Sequence, residues 1–394
     1  MTIRAFAAIR PNAKDAASVA SVPYDVVDTD EAKVLAAGNP KSFLHVSRPE
    51  IDLPAGTDCS SPEAYAQARK ALDALVAAGT LVKEQEPRFY AYRQTMGSHR
   101  QTGIVATFDT KDYLSGALKQ HEKTRKDKED DRTRHIETLS AHTGPAFLTY
   151  RDDQAIDAIV EKSCQREPLY DFVAPDGIGH TVWTIEPTDN QAIEQLFARV
   201  PVAYIADGHH RSAAASRYAK ERDFVGESRY FLAVIFPASQ LRILPYNRLV
   251  KDLNGLSDAQ FLEKLAASFE LGKRGERNCR MYFRGEWTNL AWKLPATADV
   301  VGALDVSYLQ DHLLAPILGI GDPRLDSRIS FMGGIRGDAA LAAKVDSGEY
   351  AVAFAMEGVT VDEMMAIADA GAIMPPKSTW FEPKLRSGLF VHQI

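Results

Sequence analysis

Residues 203–222 read AYIADGHHRSAAASRYAKER and carry the clearest structural pattern in the chain. The apolar run at 203–206 predicts a strand, and the small residues after Arg211 predict a helix. The polar cluster between them therefore lies where a strand ends and a helix begins, which is where α/β folds build their sites. We predict a mixed α/β (α+β) fold with a functional site centred on residues 207–211.

The residue types of this turn suit a phosphate group. Gly208 permits backbone angles that other residues avoid, and the helix that follows offers free N–H groups to an anion. Arg211 can place two N–H donors on phosphate oxygens. We therefore predict phosphate binding by Gly208 and Arg211. Two alternatives remain open: a zinc site, although no Cys or suitably spaced third ligand accompanies the histidines, and a turn whose side chains only cap the helix.

A second polar cluster is Gln120-His121-Glu122-Lys123-Thr124. A carboxylate beside a histidine, with a hydroxyl two residues on, suits a general base and a substrate clamp. The zinc-protease pattern is absent, because Arg125 stands four residues after His121. The charged run at 126–134 is typical of a solvated helix face.

Two further segments combine groups that can bind a polar ligand. Residues 375–379 (PPKST) end in a lysine and two hydroxyls, but no Gly-x-x-x-x-Gly precedes them. We predict that Lys377, Ser378 and Thr379 contribute to phosphate binding, and a purely structural tail is the alternative. Residues 22–27 (VPYDVV) form a Pro-shaped turn with one carboxylate, Asp25, which we predict to contact substrate.

Length and composition limit the class of protein. A chain of 394 residues exceeds one ordinary core, and changes in pattern predict units at 1–112, 113–255 and 256–394. The net charge of -7 gives no global basic surface for nucleic acid, although a local basic groove stays open as an alternative. Three widely spaced cysteines and the lack of a long apolar run predict a cytoplasmic protein without a membrane partner.

Local signals also predict individual elements. Residues 61–78 should form a helix, because Ser61 can cap it, Pro62 suits its first turn and Gly79 follows its end. The alternating segments at 88–96 and 99–109 predict an antiparallel hairpin across Gly97-Ser98.

Six segments together resemble the bacterial family called domain of unknown function 1015: RPN, VPYDVV, NPKSFLHVSRPEIDLP, HEKT, DGHHR and PPKSTWFEPKLRSGL. The stretch from HEKT to DGHHR further resembles the ParB/sulfiredoxin-like superfamily. Free-serine kinases of that superfamily carry a similar DGHHR. The resemblance therefore implies a central ParB/sulfiredoxin-like unit flanked by an N-terminal and a C-terminal α/β unit.

By that resemblance, Glu122 matches the base that accepts the proton of a substrate hydroxyl. Asp207, His209, His210 and Arg211 match the site for nucleotide and metal-bound phosphate. The catalytic residues are then Glu122, Asp207 and His209, and the substrate contacts are His121, Thr124 and Asp25. Mg²⁺ is expected, held chiefly by phosphate oxygens and by Asp207.

These observations predict phosphoryl transfer between ATP, ADP or another polyphosphate and a small hydroxylated metabolite, with free L-serine as the best specific acceptor. A phosphoserine-type phosphatase and a nucleotide-binding regulator without chemistry are the alternatives. A homodimer is compatible with the sequence, and no nucleic acid partner is expected.

Overall fold

The computed structural model describes residues 1–394, which form two compact units. The first comprises Met1–Leu241 and Pro383–Ile394, and the second comprises Arg242–Glu382. The last twelve residues of the chain therefore belong to the first unit. None of the helices combines the length and the apolar character needed to cross a bilayer.

The first unit contains short and long strands and nine α-helices. Its strands are β1 (Ile3–Arg4), β2 (Ile9–Pro11), β3 (Leu81–Lys83), β4 (Tyr90–Met96), β5 (His99–Asp109), β6 (Leu118–Lys119), β7 (Ala141–His142), β8 (Ala146–Tyr150), β9 (Tyr170–Val173), β10 (Gly179–Thr184), β11 (Ala203–Asp207), β12 (Tyr230–Pro237) and, at the end of the chain, β21 (His392–Gln393), which pairs with β7. Its helices are α1 (Ala16–Val19), α2 (Thr29–Ala36), α3 (Leu44–Ser47), α4 (Pro62–Ala77), α5 (Thr110–Ser115), α6 (Lys126–Leu139), α7 (Gln154–Cys164), α8 (Asn190–Ala198) and α9 (His209–Lys220).

A nine-stranded sheet organises this unit, in the order β6-β11-β8-β12-β5-β4-β10-β9, with β1 also paired to β5. The sheet is mixed, because β11 runs parallel to β6 and β12 runs parallel to β8, whereas the other pairs are antiparallel. The predicted hairpin is confirmed as β4 and β5. The mixed α/β class predicted from the sequence is also confirmed.

Helix α9 packs on this sheet through small side chains. Ala214 and Ala215 are buried in the same core as Ile205 of β11 and Ala233 of β12. Small residues let the helix axis approach the sheet closely, so the start of α9 is held firmly against the end of β11. The core is completed by side chains of α7 and α8, among them Ile156 and Phe197.

A second apolar core forms around α4. The helix begins as predicted, with the Ser61 hydroxyl accepting a hydrogen bond from the Ala64 N–H and Pro62 in the first turn. Its buried face, including Leu72, packs with Val46 of α3 and Leu139 of α6.

Helix α6 differs from the expectation of a solvated charged face. Asp131, Thr133 and His135 are buried, so one side of this charged helix lies inside the protein. The Arg132 guanidinium binds Asp131 through two nitrogens, at 2.7 and 2.8 Å, and this pairing allows both charges to be buried.

The second unit is built on a six-stranded antiparallel sheet in the order β15-β17-β16-β19-β14-β18. Its strands are β13 (Ile243–Leu244), β14 (Tyr246–Val250), β15 (Glu270–Leu271), β16 (Arg277–Phe283), β17 (Glu286–Trp292), β18 (Ile329–Gly333), β19 (Val352–Ala355) and β20 (Trp380–Phe381), with β13 paired to β20. Its helices are α10 (Asp258–Ser268), α11 (Asp305–Leu309), α12 (Gly337–Asp346) and α13 (Val361–Asp369).

Candidate functional site

The turn at 207–211 joins β11 to α9 inside the first unit. Gly208 has a φ of 92°, a left-handed conformation that favours glycine. A Cβ at this position would also lie 3.1 Å from the Arg211 Nε. Gly208 has no side chain that could cap the helix, so the N–H groups in the first turn of α9 are not bound by a capping side chain.

The Asp207 carboxylate is surrounded by positive groups. It accepts a hydrogen bond from the Gly208 N–H at 2.7 Å and lies 2.8 Å from the Lys384 ammonium. A guanidinium nitrogen of Arg211 lies 3.8 Å away. Burial alone would raise the pKa of Asp207, but Lys384 and Arg211 outweigh it and hold that pKa well below its ordinary value.

Arg211 is buried between Asp207 and Asp25. It donates a hydrogen bond to the Pro145 carbonyl and lies 3.8 Å from the Asp25 carboxylate, while its Nε has no hydrogen-bond partner. Burial opposes the charge, but Asp25 and Asp207 raise the pKa of Arg211 above its ordinary value. The predicted phosphate and substrate residues Arg211 and Asp25 are therefore neighbours.

The parallel pairing of β6 with β11 brings the second polar cluster to this turn. Lys119 lies opposite Tyr204, so residues 120–122 continue past the end of β6 towards Asp207. One carboxylate oxygen of Glu122 lies 3.9 Å from the His209 Nδ1, and the other lies 4.0 Å from the His121 Nε2. Both distances are longer than a direct hydrogen bond, but a water or a ligand atom could bind the carboxylate and the two histidines together.

The two histidines beside Glu122 pack edge to face, with ring centroids 4.6 Å apart. Burial lowers the pKa of His121 to about 3 and that of His209 to about 4, so both rings are neutral at physiological pH. The Nε2 of His209 is buried and has no hydrogen-bond partner. By contrast, 38% of the Glu122 side chain is exposed.

His210 and Thr124 complete the junction of the two clusters. The Arg125 N–H donates to the His210 Nε2 at 3.1 Å, across 85 positions of sequence. Burial lowers the pKa of His210, in keeping with a neutral ring that accepts this hydrogen bond. The Thr124 hydroxyl donates to the Glu129 carboxylate on α6.

Lys377, Ser378 and Thr379 belong to the second unit. The Ser378 hydroxyl is buried and donates to the Pro375 carbonyl at 2.7 Å. The Lys377 ammonium lies 5.2 Å from the centre of the Tyr246 ring. Their assignment to phosphate binding stays a prediction.

Lys384 is the main site residue that the sequence did not assign to this turn. It belongs to the tail rich in Lys and Arg, and only the returned segment Pro383–Ile394 carries it to Asp207, 177 positions away. Arg132 was also missed, because it lies within a charged run typical of a solvated helix face. Its guanidinium lies 3.9 Å from the centre of the Tyr24 ring.

The site combines an uncapped helix N-terminus, two cations and a half-exposed carboxylate. The N-terminus of α9 and the cations Arg211 and Lys384 suit an anionic group. Glu122 can accept a proton beside it. No group of three or more His, Cys, Asp or Glu side chains could hold a metal ion by itself.

A family model described as "Protein of unknown function (DUF1015)" matches residues 3–307. No curated protein matches the chain. Similar solved structures include a conserved hypothetical protein from Pyrococcus furiosus, with 13% identity over 73% of this chain and 95% of that one and a TM-score of 0.36.

Two further solved structures are of named proteins. Free serine kinase in complex with AMP is 13% identical over 73% of this chain and 91% of that one, with a TM-score of 0.37. SbnI with C-terminal truncation from Staphylococcus aureus is 12% identical over 73% and 87%, with a TM-score of 0.39. Because these TM-scores are low, the similarity does not indicate which ligand this chain binds.

Proposed function

The chain belongs to the DUF1015 family, and on that premise we propose that it transfers a phosphoryl group between a nucleotide and a small hydroxylated metabolite. The observation that carries the proposal is the half-exposed Glu122 carboxylate, which lies 3.9 Å from His209 at the start of α9. A proton acceptor therefore stands beside an anion site, the two parts that phosphoryl transfer to a hydroxyl needs.

In the proposed reaction the acceptor hydroxyl oxygen attacks the terminal phosphorus of the nucleotide. A new O–P bond forms, the bond from the terminal phosphorus to the bridging oxygen breaks and leaves ADP from ATP or AMP from ADP, and the hydroxyl proton passes to Glu122. The N–H groups at the start of α9 and the Arg211 guanidinium hold the transferring group's charge. His209 flanks Glu122 at 3.9 Å.

A Mg²⁺ ion that arrives with the nucleotide would have to share Asp207, the one carboxylate in the turn itself. One oxygen of Asp207 accepts a hydrogen bond from the Gly208 N–H at 2.7 Å, and the other lies 2.8 Å from the Lys384 ammonium. A small number of protein ligands is what Mg²⁺ takes when phosphate oxygens and waters supply the rest. When bound, the ion would neutralise charge on the phosphate oxygens, with Asp207 as its protein ligand.

Free L-serine is the specific acceptor that we favour. HEKT and DGHHR resemble the corresponding segments of free-serine kinases, and both lie at the same junction in the first unit. ATP or ADP would be the donor. His121, Thr124 and Asp25 remain the proposed acceptor contacts, with Asp25 facing Arg211 at 3.8 Å.

The test is the substitution Glu122→Gln. It keeps the size and hydrogen-bonding capacity of the side chain but removes the proton acceptor, so turnover should fall by about 10²- to 10⁴-fold while nucleotide affinity is retained. Glu137→Gln is the matched control, because Glu137 is 41% exposed, like Glu122 at 38%, but binds Arg222 on the protein surface.

Turnover is measured by mass spectrometry with ATP, ADP or pyrophosphate and a panel of hydroxylated amino acids and alcohols. Wild-type turnover in Glu122→Gln would exclude Glu122 as the base. Nucleotide binding without any product from the wild type would instead identify a regulator. Phosphate release from phosphoserine without a nucleotide would identify a phosphatase.

A further inference from the structure

A small cleft in the first unit shares Arg211 with the phosphate turn. Besides Arg211, it is lined by residues that have no role in the proposed phosphoryl transfer. Tyr24 comes from the VPYDVV turn, Ser47 ends α3, Arg132 lies on α6 and Ser387 belongs to the returned C-terminal segment. The cleft is therefore assembled from four distant parts of the chain beside a proposed reaction centre.

Three lining residues each carry a buried polar atom without a hydrogen-bond partner. They are the Ser47 Oγ, the His142 Nε2 and the Arg211 Nε. Nearly all buried polar groups in proteins are paired, because an unpaired one loses its hydrogen bonds to water and gains nothing in return. Three such atoms around one cleft indicate a polar ligand that would pair with them.

The charge of the lining indicates the sign of this ligand. Arg132 and Arg211 line the cleft, and no Asp or Glu side chain does. Burial lowers the pKa of His142 to about 3, so this ring adds no charge at physiological pH. Arg132 is held in place by the Tyr24 ring and by Asp131, which fixes its orientation before a ligand arrives.

A small carboxylate matches these features. It accepts hydrogen bonds from hydroxyl and guanidinium donors, and its charge is opposite to that of the two arginines. The start of α9 is the anion site proposed for the nucleotide phosphate. The cleft lies on the Arg211 side of the same turn, where a second, smaller reactant would bind.

We propose that this cleft binds the carboxylate end of the acceptor, a small hydroxy acid or hydroxylated amino acid, with Ser47, Arg132 and the Arg211 Nε as the contacts of the carboxylate, while His121, Thr124 and Asp25 contact the rest of the acceptor. The inference rests on the proposed function, because it names the acceptor class for the same reaction. It adds a binding site and a requirement, namely that the acceptor carries a carboxylate.

The test uses the full chain and two matched pairs of compounds: L-serine with serinol, and D-glycerate with glycerol. Each pair differs by replacement of the carboxylate with a CH₂OH group. In calorimetric titrations, at least one carboxylate compound should bind the wild type, and its polyol partner should not. Ser47→Ala should weaken that binding about tenfold or more, since a hydrogen bond to a charged group is lost.

Ser307→Ala is the matched control, because Ser47 is 6% exposed and Ser307 is 5% exposed, and the hydroxyl of each is unpartnered. Ser307 lies in the second unit, so its substitution should leave the affinity unchanged. Neither variant loses a hydrogen bond of the free protein, so both should fold. Circular dichroism on the same preparations checks this directly.

Three outcomes would overturn the assignment: equal affinity in Ser47→Ala and wild type, equal binding of carboxylates and polyols, or no binding of any of the four compounds. Inorganic phosphate that binds alone and loses affinity in Ser47→Ala would also overturn it, by identifying a phosphate pocket. Carboxylate binding that depends on Ser47, without product from ATP, ADP or pyrophosphate, would leave the cleft assignment standing and refute the transferase. Turnover of polyols that is insensitive to Ser47→Ala would support the transferase and refute the cleft assignment.

Discussion

Substitution of Lys384 by Met would remove the ammonium that lies 2.8 Å from Asp207 while keeping an apolar stem of similar length. The loss of one partner from a buried ion pair commonly costs about 3–5 kcal/mol, because the remaining charge is left uncompensated. Asp207 retains the Gly208 N–H at 2.7 Å and Arg211 at 3.8 Å, and 26% of its side chain is exposed. We therefore expect a loss of about 2–3 kcal/mol in the free energy of unfolding at neutral pH.

The loss should shrink in acid. In the folded wild type the pKa of Asp207 lies below its ordinary value of 3.8, so the stabilisation from its charge is present above that value. It disappears as the pH falls through the lowered pKa. Once Asp207 is protonated, the Lys384→Met variant and the wild type should have nearly the same free energy of unfolding.

Urea unfolding followed by circular dichroism measures both effects. Lys162→Met is the matched control, because the Lys162 ammonium lies 2.9 Å from Asp189 but its side chain is 62% exposed. A surface pair of this kind contributes at most about 1 kcal/mol. The reasoning is refuted if Lys384→Met costs no more than Lys162→Met, or if a double-mutant cycle with Asp207→Asn gives no coupling.

Three further results are expected. Arg211→Lys should weaken ATP binding in a calorimetric titration, because a point charge cannot replace two parallel N–H donors, and an unchanged affinity would remove Arg211 from the phosphate site. Chelation should abolish turnover and added Mg²⁺ should restore it, whereas full activity in chelator would contradict the metal-dependent transfer. The lowering of the His209 pKa from 6.5 to about 4 means that the folded state binds fewer protons, so stability should fall as the pH drops below about 6.5. The lowered pKa of His209 corresponds to a loss of about 3 kcal/mol in the free energy of unfolding on acidification. If a His209→Gln variant loses as much stability in acid as the wild type, measured by urea unfolding, this prediction is refuted.

The sequence by itself was sufficient for features that depend on neighbouring residues. Helix α4 was predicted with its cap, because Ser61 and Pro62 act on the backbone within one helical turn. The turn at 207–211 was placed correctly between strand and helix for the same reason. Gly208 adopts its left-handed φ of 92° because of its own missing side chain.

Contacts between distant segments depended on how strands pair, which local patterns do not encode. The parallel alignment of β6 with β11 decides that Glu122 lies beside His209, at 3.9 Å. No periodicity in either segment specifies that partner, since many apolar strands of similar length are available and a shift in register would separate the two side chains.

Only the tertiary structure brings Lys384 and Arg132 to this region. Within the sequence each is one basic residue among several in a charged stretch, and such stretches are usually solvated. Burial selects among them, because a charge can leave water only where a partner compensates it. Asp207 supplies that partner for Lys384 and Asp131 supplies it for Arg132, and both pairings exist only once the chain has folded.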